Sequence, residues 1–517
     1  MKQENGCEKL FNQESYRQFN NQLVEDYLKL VREIRQGVFD GDGVLKIGHE
    51  LESTIVGPDY TPAKNRKVMT VNTGSNGFQG KEKELCPFGI LREKAYLNGI
   101  EKLPAGELGG TNYEINTTEK VLKGKVFSDE ENELFSKFKE LDDILVSEGM
   151  MSYLTGLPET ASNNDCSLES MVKHPTKETR YSGINHGVMA FRLNEPIRIE
   201  VANGVAKYSA EFDSIMAESL CTSFQQHLQI NNPQENAHRY MNAASILAGP
   251  LVAVSANSPF VNGEGPLWKE SRIRVFEQSI DSRTAAERKI SSDDGRGSFV
   301  NKFYTDVEEF YTESLRRPAL LPDLSFGKGA IAHPLFRLQV GTDWRWIRPV
   351  WFGKDEDAQK YMTLEFRPLP AGPTIKDMVA NSALYAGAMK YILDNGIDKE
   401  FASSTNFADL RENFYNAAKY GMQSTMKWRS QEMPVYHVLE EVYGMSVKGL
   451  TSLGVDQHDI DTYLGPIKSR IEQRKSPADW KIGIYNKGIS EGKTRTEALQ
   501  DVVSTSREYL VSNRPVI

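Results

Sequence analysis

Cysteine is scarce in this chain, and no two cysteines lie close together in the sequence. The four cysteines among 517 residues are Cys7, Cys86, Cys166 and Cys221. The absence of a CxxC pair argues against a zinc knuckle and against a thioredoxin-type motif. Isolated thiols are typical of a reducing cytosol. We therefore expect the protein to reside in the cytoplasm.

Long apolar runs are missing as well. The first residues, Met-Lys-Gln-Glu-Asn-Gly-Cys, have no apolar signal core, and no uninterrupted apolar run has membrane-spanning length. With 62 Lys and Arg against 71 Asp and Glu, the net charge is −9, whereas a general nucleic-acid binder usually carries a basic face. We therefore expect small-molecule substrates as partners, with no nucleic acid and no membrane. The oligomeric state stays open.

The common nucleotide-binding and hydrolase signatures are also absent. The chain has no GxxxxGK(S/T) loop, and Gly327-Lys328-Gly329 is too short to count as one. No GxGxxG follows a predicted strand, and neither a kinase signature set nor GxSxG nor HExxH occurs. If ATP binds, it must therefore do so through metal–carboxylate and arginine contacts instead of a phosphate-binding loop.

Length and periodicity predict the organisation of the chain. A chain of 517 residues is too long for one simple core, so we expect one large α+β catalytic unit with helical additions, or two domains. Helical spacing of apolar residues predicts a helix over 8–38, and the chain becomes mainly helical from about residue 374. We divide it into an N-terminal helical extension (1–43), a catalytic domain (44–395) and a helical region packed on that domain (396–517).

Two stretches between the predicted elements need separate interpretation. Residues 155–185 are rich in Gly, Pro, Asn and Ser with little periodicity, and a loop of that length is often functional. We interpret it as a candidate lid. Residues 187–199 and 204–208 are predicted to form a pair of strands that turns at Asn203-Gly204.

Four carboxylates lie in or beside strand-like segments. Glu50 and Glu52 are two residues apart on a predicted strand, so their side chains share one face. Two like charges side by side cost free energy unless a cation lies between them. Glu107 lies in a glycine-flanked loop, and Glu114 lies in the strand that follows. The alternative interpretation is a solvated strand face, with a loop charge and a polar edge strand.

One histidine lies on a strand face that is polar at three consecutive positions. Gln225, His227 and Gln229 alternate on one side of the predicted strand, while Phe224 and Leu228 point to the other side. This pattern favours a solvated, functional face for His227. The alternative is a structural histidine.

Three arginines complete the set of candidate residues. Arg367 shares a strand face with Glu365, and Arg348 lies on a run that resembles a neighbouring strand. Arg272 belongs to a basic segment after the turn Asn257-Ser258-Pro259-Phe260. Arginine binds carboxylates and phosphates through two parallel hydrogen bonds. The alternatives are a structural ion pair for Glu365 and Arg367, and a solvated surface helix around Arg272.

The order of these motifs resembles that of the glutamate–cysteine ligase family, over roughly residues 44–395. The resemblance implies a glutamine synthetase-like α+β fold, with an antiparallel sheet curved around the active site and helices packed outside. It rests on the following succession: Gly48-His49-Glu50-Leu51-Glu52, Glu107 and Glu114, His227-Leu228-Gln229, Ala256-Asn257-Ser258-Pro259-Phe260 with Ser271-Arg272, Trp346-Ile347-Arg348-Pro349, and Thr363-Leu364-Glu365-Phe366-Arg367.

The same resemblance implies the chemistry. Family members use ATP and Mg2+ (Mn2+ is possible) to phosphorylate the γ-carboxylate of glutamate, and an amine, commonly that of cysteine, then attacks the acyl phosphate. Carried over to this sequence, Arg367 would stabilise the transferring phosphoryl group, and Arg272 and Arg348 would contact phosphate or a substrate carboxylate, so that Arg367 and Arg272 also bind the nucleotide. The metal ligands would be Glu50, Glu52, Glu107, Glu114, His227 and Glu365.

Departures from the family pattern leave the amine open. Val350-Trp351 replaces the usual His or Ser soon after Ile347-Arg348-Pro349, and Gln225-Gln226 precedes His227 in place of a small residue and glycine. A ligase acting on another amine or amino acid is therefore an alternative to one that uses cysteine. A non-catalytic binding homologue and an ATP–guanidino phosphotransferase are more distant alternatives.

Overall fold

The computed structural model describes residues 11–71, 81–168, 178–290 and 295–517. These residues form a mixed helix and strand fold. The strands β1 to β14 are Lys46–Val56, Lys67–Val71, Lys81–Leu85, Ala105–Gly106, Asn112–Asn116, Lys120–Val121, Met151–Tyr153, Ile197–Ala202, Lys207–Phe212, Phe224–Ile230, Ile347–Phe352, Tyr361–Phe366, Thr425–Trp428 and Gln431–Pro434. The helices α1 to α16 are Gln13–Arg35, Pro87–Leu97, Val126–Ser147, Glu178–Phe191, Pro233–Ser255, Ser271–Ser279, Ala285–Ile290, Val307–Arg316, Pro334–Gly341, Ile375–Asp394, Ile397–Ser404, Phe407–Tyr420, Val435–Leu453, Gln457–Gln473, Pro477–Ser490 and Arg495–Val511.

An eight-stranded antiparallel sheet organises the molecule. Its main path runs β11-β12-β10-β1-β5-β4, and β6 and β7 pair with the two ends of β1. The 11-residue strand β1 therefore has neighbours along both edges and over its whole length. The sheet curls into a half-barrel, which confirms the predicted curved antiparallel sheet with helices outside.

The convex face of the sheet packs against helices. Alternate residues of β1, β10 and β12 point to this side, among them Leu51, Phe224 and Phe366, each of which is buried. The Phe366 ring stacks on Tyr385 of α10 at 4.6 Å between centroids. The polar residue His49 also points to this side, which separates it from its neighbours Gly48 and Glu50.

His49 is accommodated by partners on two helices. Its Nδ1 lies 2.7 Å from Glu130 Oε1 on α3, and its Nε2 lies 2.7 Å from Ser382 Oγ on α10. Its ring stacks on Phe224. Because a buried polar group costs little only when it is hydrogen-bonded, these contacts fix the register of β1 against the helical layer. Glu50 and Glu52 of the same strand point to the opposite, concave face of the sheet.

The C-terminal helices pack on the rest of the fold through buried charge pairs. Lys481 of α15 is fully buried, and its Nζ lies 2.6 Å from the equally buried Glu159 and 2.9 Å from Thr155 Oγ1. Arg470 of α14 is paired with Asp377 at the start of α10. The boundary predicted at residue 395 therefore separates segments that share a buried interface, and the division into domains stays a prediction.

Most predicted elements are present with shifted ends. The predicted helix over 8–38 is α1, Gln13–Arg35, and residues 1–10 lie outside the described part. The predicted turn at Asn203-Gly204 joins β8 and β9, which pair along six residues each. The predicted strand over 187–199 is wrong at its start, because residues up to Phe191 belong to α4. Tyr181, Ile184 and Val188 are buried at helical spacing there.

The prediction of one long loop over 155–185 is also wrong in part. Asn163–Cys166 forms a 3-10 turn, and α4 begins at Glu178. Residues 169–177 lie outside the described part, so the candidate lid stays a prediction. Among the described helices, none is long and apolar enough to cross a membrane.

Candidate active site

The concave face of the sheet collects the polar residues of four adjacent strands. Glu50 of β1 lies opposite Gln225 of β10 on one side and opposite Asn116 of β5 on the other. Glu52 lies opposite Glu114 of β5. Across the next strand pair, His227 of β10 lies opposite Glu365 of β12. The two-residue period of each strand and the register between strands thus bring distant segments together.

Glu50, His227 and Glu365 form a first group of metal-ligand type. One ligand atom of each lies within 4.8 Å of the others. His227 Nε2 is 3.1 Å from Glu50 Oε1, and His227 Nδ1 is 3.0 Å from Thr363 Oγ1. Thr363 therefore fixes the orientation of the imidazole ring, with Nε2 directed toward the carboxylates. Burial raises the pKa of Glu50, but the adjacent His227 outweighs it and holds this pKa below its usual value.

Glu365 is held between two arginines. Arg348 donates from Nε to Glu365 Oε2 at 2.5 Å and from Nη2 to Oε1 at 3.0 Å. Arg367 Nη1 donates to Glu365 Oε1 at 2.5 Å. Burial opposes ionisation of Glu365, but Arg348 and then Arg367 outweigh it, so its pKa lies well below the usual range. Glu365 is therefore a carboxylate at any physiological pH, and it fixes both guanidinium groups.

Glu52, Glu107 and Glu114 form a second group, again with ligand atoms within 4.8 Å of one another. Burial, and next the charge of Glu107, raise the pKa of Glu52 to about 7. Burial, followed by Glu50 and Glu107, raises the pKa of Glu114 well above its usual value. Carboxyl groups that crowd together in this way resist losing their protons unless a cation compensates their charge.

These donors fit hard divalent cations. Five carboxylates and one imidazole, split into two groups that share one face of β1, resemble the oxygen-rich sites that Mg2+ and Mn2+ prefer. Glu52 is further oriented by Gln225, whose Nε2 donates to Oε1 at 2.6 Å, and by the backbone N–H of Ser223, which donates to Oε2 at 2.6 Å.

Arg272 lies at the wall of the same site, but its described contacts are with protein groups. Its Nε donates to Glu270 Oε1 at 3.2 Å, and its Nη2 donates to the carbonyl of Pro368 at 2.5 Å. The guanidinium lies 5.2 Å from the Trp346 ring centroid. Arg272 is buried at the start of α6, so the solvated surface helix considered above does not describe it.

A cavity of about 290 Å³ opens between the second carboxylate group and the arginines. Two charged residues that sequence reasoning missed, Arg180 and Glu218, also line it. Arg180 lies near the start of α4, and Glu218 lies in the 3-10 turn Ile215–Leu220. Burial, and next the charge of Glu107, raise the pKa of Glu218 to about 8. Single charges in aperiodic segments give no pattern from which their convergence is predictable. We call this space the acidic cavity.

A second cavity of about 310 Å³ lies on the other side of Glu50 and His227. Its wall includes Phe352 and Tyr361, whose rings are stacked at 5.0 Å. Glu50 lines both this aromatic cavity and the acidic cavity. The first carboxylate group therefore stands at the junction between two ligand-sized spaces, one partly aromatic and one strongly charged.

All nine candidate residues from the sequence converge on this junction. His227 lines the aromatic cavity, and Glu365 lies behind the two arginines that it holds. The remaining candidates line the acidic cavity: Glu50, Glu52, Glu107, Glu114, Arg272, Arg348 and Arg367.

A comparison with protein-family models decides the family. The model of glutamate-cysteine ligase family 2 matches residues 48–505, which is most of the chain. The chain belongs to this family. The resemblance seen in the motifs is thereby confirmed, and the match extends beyond residue 395 into α16. Membership of glutamate-cysteine ligase family 2 makes the chain an ATP-dependent carboxylate–amine ligase.

One solved structure with a TM-score above 0.5 shares the fold of this family member, and two others score below that value. The glutamate–cysteine ligase of Francisella tularensis, in complex with AMP, has a TM-score of 0.54 at 11% identity, with 92% of this chain and 90% of that chain covered. A bifunctional glutathione synthetase from Pasteurella multocida has a TM-score of 0.49 at 11% identity, with coverage of 94% and 55%. The ligase PafA in complex with the ubiquitin-like protein Pup has a TM-score of 0.39 at 12% identity, with coverage of 89% and 72%. No curated protein matches the sequence.

Proposed function

We propose that this ligase joins the γ-carboxylate of glutamate to an amine, with cysteine as the default acceptor and γ-glutamylcysteine as the product. The observation that carries the proposal is the junction at Glu50, where one aromatic and one charged cavity meet at two carboxylate groups and a pair of arginines. A phosphoryl group has to cross from nucleotide to substrate at such a junction.

Two groups of residues are proposed to hold Mg2+, with Mn2+ as an alternative. Glu50, His227 and Glu365 form the first, and Glu52, Glu107 and Glu114 form the second. When bound, the cations would supply charge neutralisation for the polyphosphate and for the oxygens of the transferring group. The carboxylates and the imidazole would hold these cations on the concave face of the sheet.

ATP is proposed to lie in the aromatic cavity, with its γ-phosphate toward Glu50. Phe352 and Tyr361 offer apolar rings to a nucleobase in this cavity, and the Phe352 ring also lies edge-on to His227 at 5.9 Å between centroids. The Francisella tularensis ligase, whose fold is similar, was solved with AMP, which supports nucleotide use by this fold.

Two buried nitrogen donors support an anion in the acidic cavity. Arg367 Nε and Arg180 Nε are buried and have no hydrogen-bond partner among the described residues, and both side chains line this cavity. Because buried donors are nearly always paired in folded proteins, these two favour an anionic ligand. We assign Arg367, with Arg348 beside it, to the transferring phosphoryl group, and Arg180 to a carboxylate of the substrate. Arg272 stays a candidate for either contact.

The reaction then balances without a covalent enzyme intermediate. A γ-carboxylate oxygen attacks the γ-phosphorus of ATP, and ADP leaves. The amine nitrogen attacks the acyl carbon, phosphate leaves with the former carboxylate oxygen, and the amine loses a proton. Glu218, which lines the same cavity and has a raised pKa, accepts this proton when its carboxyl group is ionised. Protein groups need only position the reactants and neutralise charge, which accounts for a site of carboxylates and arginines.

A second candidate is a ligase for a less polar amine than cysteine. Apolar side chains form part of the wall of the acidic cavity, among them Ile184, Ile215 and Phe276. These residues favour an acceptor with an apolar side chain. In this proposal the apolar wall determines which amine is accepted, whereas the carboxylates and arginines carry out phosphoryl transfer.

The test is ADP release by the purified protein with Mg-ATP and glutamate, with single amines added in turn and cysteine first. Turnover that requires both glutamate and cysteine, with the amide identified by mass spectrometry, supports the first candidate. Turnover with glutamate and an apolar amine supports the second. If no amine supports turnover with glutamate although Mg-ATP binds, glutamate is not the acid.

A further inference from the structure

A large cavity outside the active site has more arginines in its wall than any other residue type. It has a volume of about 860 Å³ and lies between the outer face of β8 and helices α6, α7 and α12. Six arginines contribute to its wall: Arg192, Arg198, Arg274, Arg283, Arg288 and Arg411. We call it the arginine cavity. None of its lining residues belongs to the active-site set described above.

The wall carries an excess of positive charge in an acidic protein. Among the described residues, only three carboxylates line the arginine cavity, namely Glu200, Glu277 and Asp281. Three guanidinium charges are therefore in excess locally, although the chain as a whole carries a net charge of −9. Burial, and next the charge of Arg288, lowers the pKa of Arg192, as expected where cations crowd together. An anion in the cavity would relieve this repulsion.

Some of the six arginines stabilise the fold through hydrogen bonds to the backbone, and others are exposed at the opening of the cavity. Buried Arg192 donates to the carbonyls of Asp281 and Pro196 at 2.6 and 2.7 Å. Arg198 is 57% exposed with one carboxylate, Glu200, at 3.0 Å. Arg274 is 36% exposed, and its nearest carboxylate, Glu277, lies at 3.6 Å, beyond hydrogen-bond distance. Arg198 and Arg274 can therefore turn toward a ligand without breaking the scaffold.

Helix α6 separates this cavity from the active site. Arg272 and Phe276 line the acidic cavity, whereas Arg274 and Glu277 line the arginine cavity. Successive side chains of this one helix therefore reach opposite ligand spaces. The helix is also fixed to β8, because Gln278 exchanges hydrogen bonds with the backbone of Glu200 at 3.0 and 3.1 Å.

A chain of contacts joins the two spaces across α6. Glu277 Oε1 accepts hydrogen bonds from Trp346 Nε1 at 2.9 Å and from Tyr415 at 2.7 Å. Trp346 also contacts Arg272, whose guanidinium lies over its ring. A ligand that attracts Arg274 away from Glu277 thus acts on the group that positions Trp346 and, through it, Arg272.

We propose that the arginine cavity is an effector site for a small molecule with two or more carboxylate or phosphate groups. Guanidinium groups bind both kinds of oxyanion through paired hydrogen bonds, and a volume of about 860 Å³ is that of a small-molecule site. Binding pulls Arg274 toward the ligand and thereby changes the position of Arg272 at the active site. The effector changes the KM for the carboxylate substrate or for ATP.

Binding is tested by isothermal calorimetry with two inorganic or simple probes, tripolyphosphate and citrate, in magnesium-free buffer. The wild-type protein is compared with the double variant Arg198→Gln/Arg274→Gln. Because each lost charged hydrogen bond weakens binding by about tenfold or more, the variant should bind the preferred probe at least about 100-fold more weakly. The probe that binds more tightly shows whether the cavity prefers a phosphate or a carboxylate ligand.

The control variant is Arg35→Gln, which removes an exposed guanidinium that is paired with Glu308; neither residue lines the arginine cavity. It should bind both probes as the wild type does. Equal affinity in the wild type and the double variant would overturn the site, since binding would then come from the active site or from general charge. The binding arm does not depend on the proposed function.

The kinetic arm rests on the proposed function and follows ADP release at constant free Mg2+. The preferred probe should change the KM for glutamate or ATP by at least about threefold in the wild type and in Arg35→Gln, and not in the double variant. Binding at the arginine cavity without any change in kinetic constants would overturn the effector role. An inactive wild type would instead count against the proposed function.

Discussion

Glu52 and Glu114 lie directly opposite one another on the neighbouring strands β1 and β5. Two carboxylates in facing positions of a sheet repel each other, and both of these have pKa values above the usual range. The sequence places them 62 residues apart, so only the strand register brings them together. This arrangement costs stability in the absence of a cation, and it makes the effect of metal binding measurable.

The first prediction concerns pH and Mg2+. In the folded protein Glu52 has a pKa of about 7, against a reference value of 4.5, so the folded state holds a proton that the unfolded state has lost between these values. The free energy of unfolding of the metal-free protein therefore falls as the pH rises through this window, by roughly 3 kcal/mol from Glu52. Glu365 has a lowered pKa, and its contribution is lost only at acid pH.

Mg2+ should therefore raise the Tm more at pH 8 than at pH 5, because protons compete for the same carboxylates at the lower pH. Thermal unfolding with and without Mg2+ at both pH values measures this. Glu52→Gln should reduce the difference, whereas Glu308→Gln, at an exposed ion pair with Arg35, should not. Equal stabilisation by Mg2+ at the two pH values would show that Glu52, Glu107 and Glu114 do not bind the cation.

The second prediction concerns Glu365→Gln. The amide cannot neutralise Arg348 and Arg367 or ligate a cation as the carboxylate does, so kcat for ADP release should fall by about 100-fold or more. Near-ultraviolet circular dichroism should stay that of the folded protein at the assay temperature. Near-normal turnover by the folded variant would show that Glu365 is only a structural partner of the two arginines.

The third prediction separates binding from catalysis at Arg367. Arg367→Ala should lower kcat by about 100-fold or more and change the Kd for ATP by less than about threefold, because we assign the guanidinium to charge that develops in the transition state. Arg367→Lys keeps the positive charge but lacks the planar guanidinium group that donates two parallel hydrogen bonds. Its kcat should therefore lie between those of the wild type and Arg367→Ala. A variant with weakened nucleotide binding and a normal kcat would contradict this role.

The fourth prediction tests whether the helical region 396–517 belongs to one cooperative unit with the catalytic domain. Lys481→Met leaves Glu159 buried without its cation and should lower the free energy of unfolding by roughly 3–5 kcal/mol in a single urea transition. Lys487→Met, at an exposed pair between this helix and Glu491 just past its end, should cost at most about 1 kcal/mol. A separate transition for the C-terminal helices would indicate an independent domain.

Strand alternation carried most of what the sequence could predict about the site. Period-two spacing assigned Glu50 and Glu52, and Gln225, His227 and Gln229, to single strand faces, and the structure agrees. Alternation does not give the order of strands in a sheet. The position of β10 between β1 and β12, which brings His227 to Glu365, was therefore not predicted; the family resemblance implied only that these two residues share a metal site.

The features that the sequence did not predict correctly also have physical explanations. The run Val188-Met189-Ala190-Phe191 is apolar enough for a strand, but packing of its helical face against the core decides for α4. Arg180 and Glu218 reach the acidic cavity through tertiary packing of α4 and of a 3-10 turn, and neither has a periodic partner in the sequence. The pairing of Lys481 with Glu159 likewise joins segments 322 residues apart.

Transfer of oxygen-18 from glutamate to phosphate tests the central claim most directly. The protein is incubated with Mg-ATP, the amine that supports turnover and glutamate labelled in its γ-carboxylate, and the inorganic phosphate is analysed by mass spectrometry. Activation through an acyl phosphate predicts one labelled oxygen in each phosphate released, in step with amide formation. Phosphate without label, or label recovered in AMP, would contradict the proposed reaction.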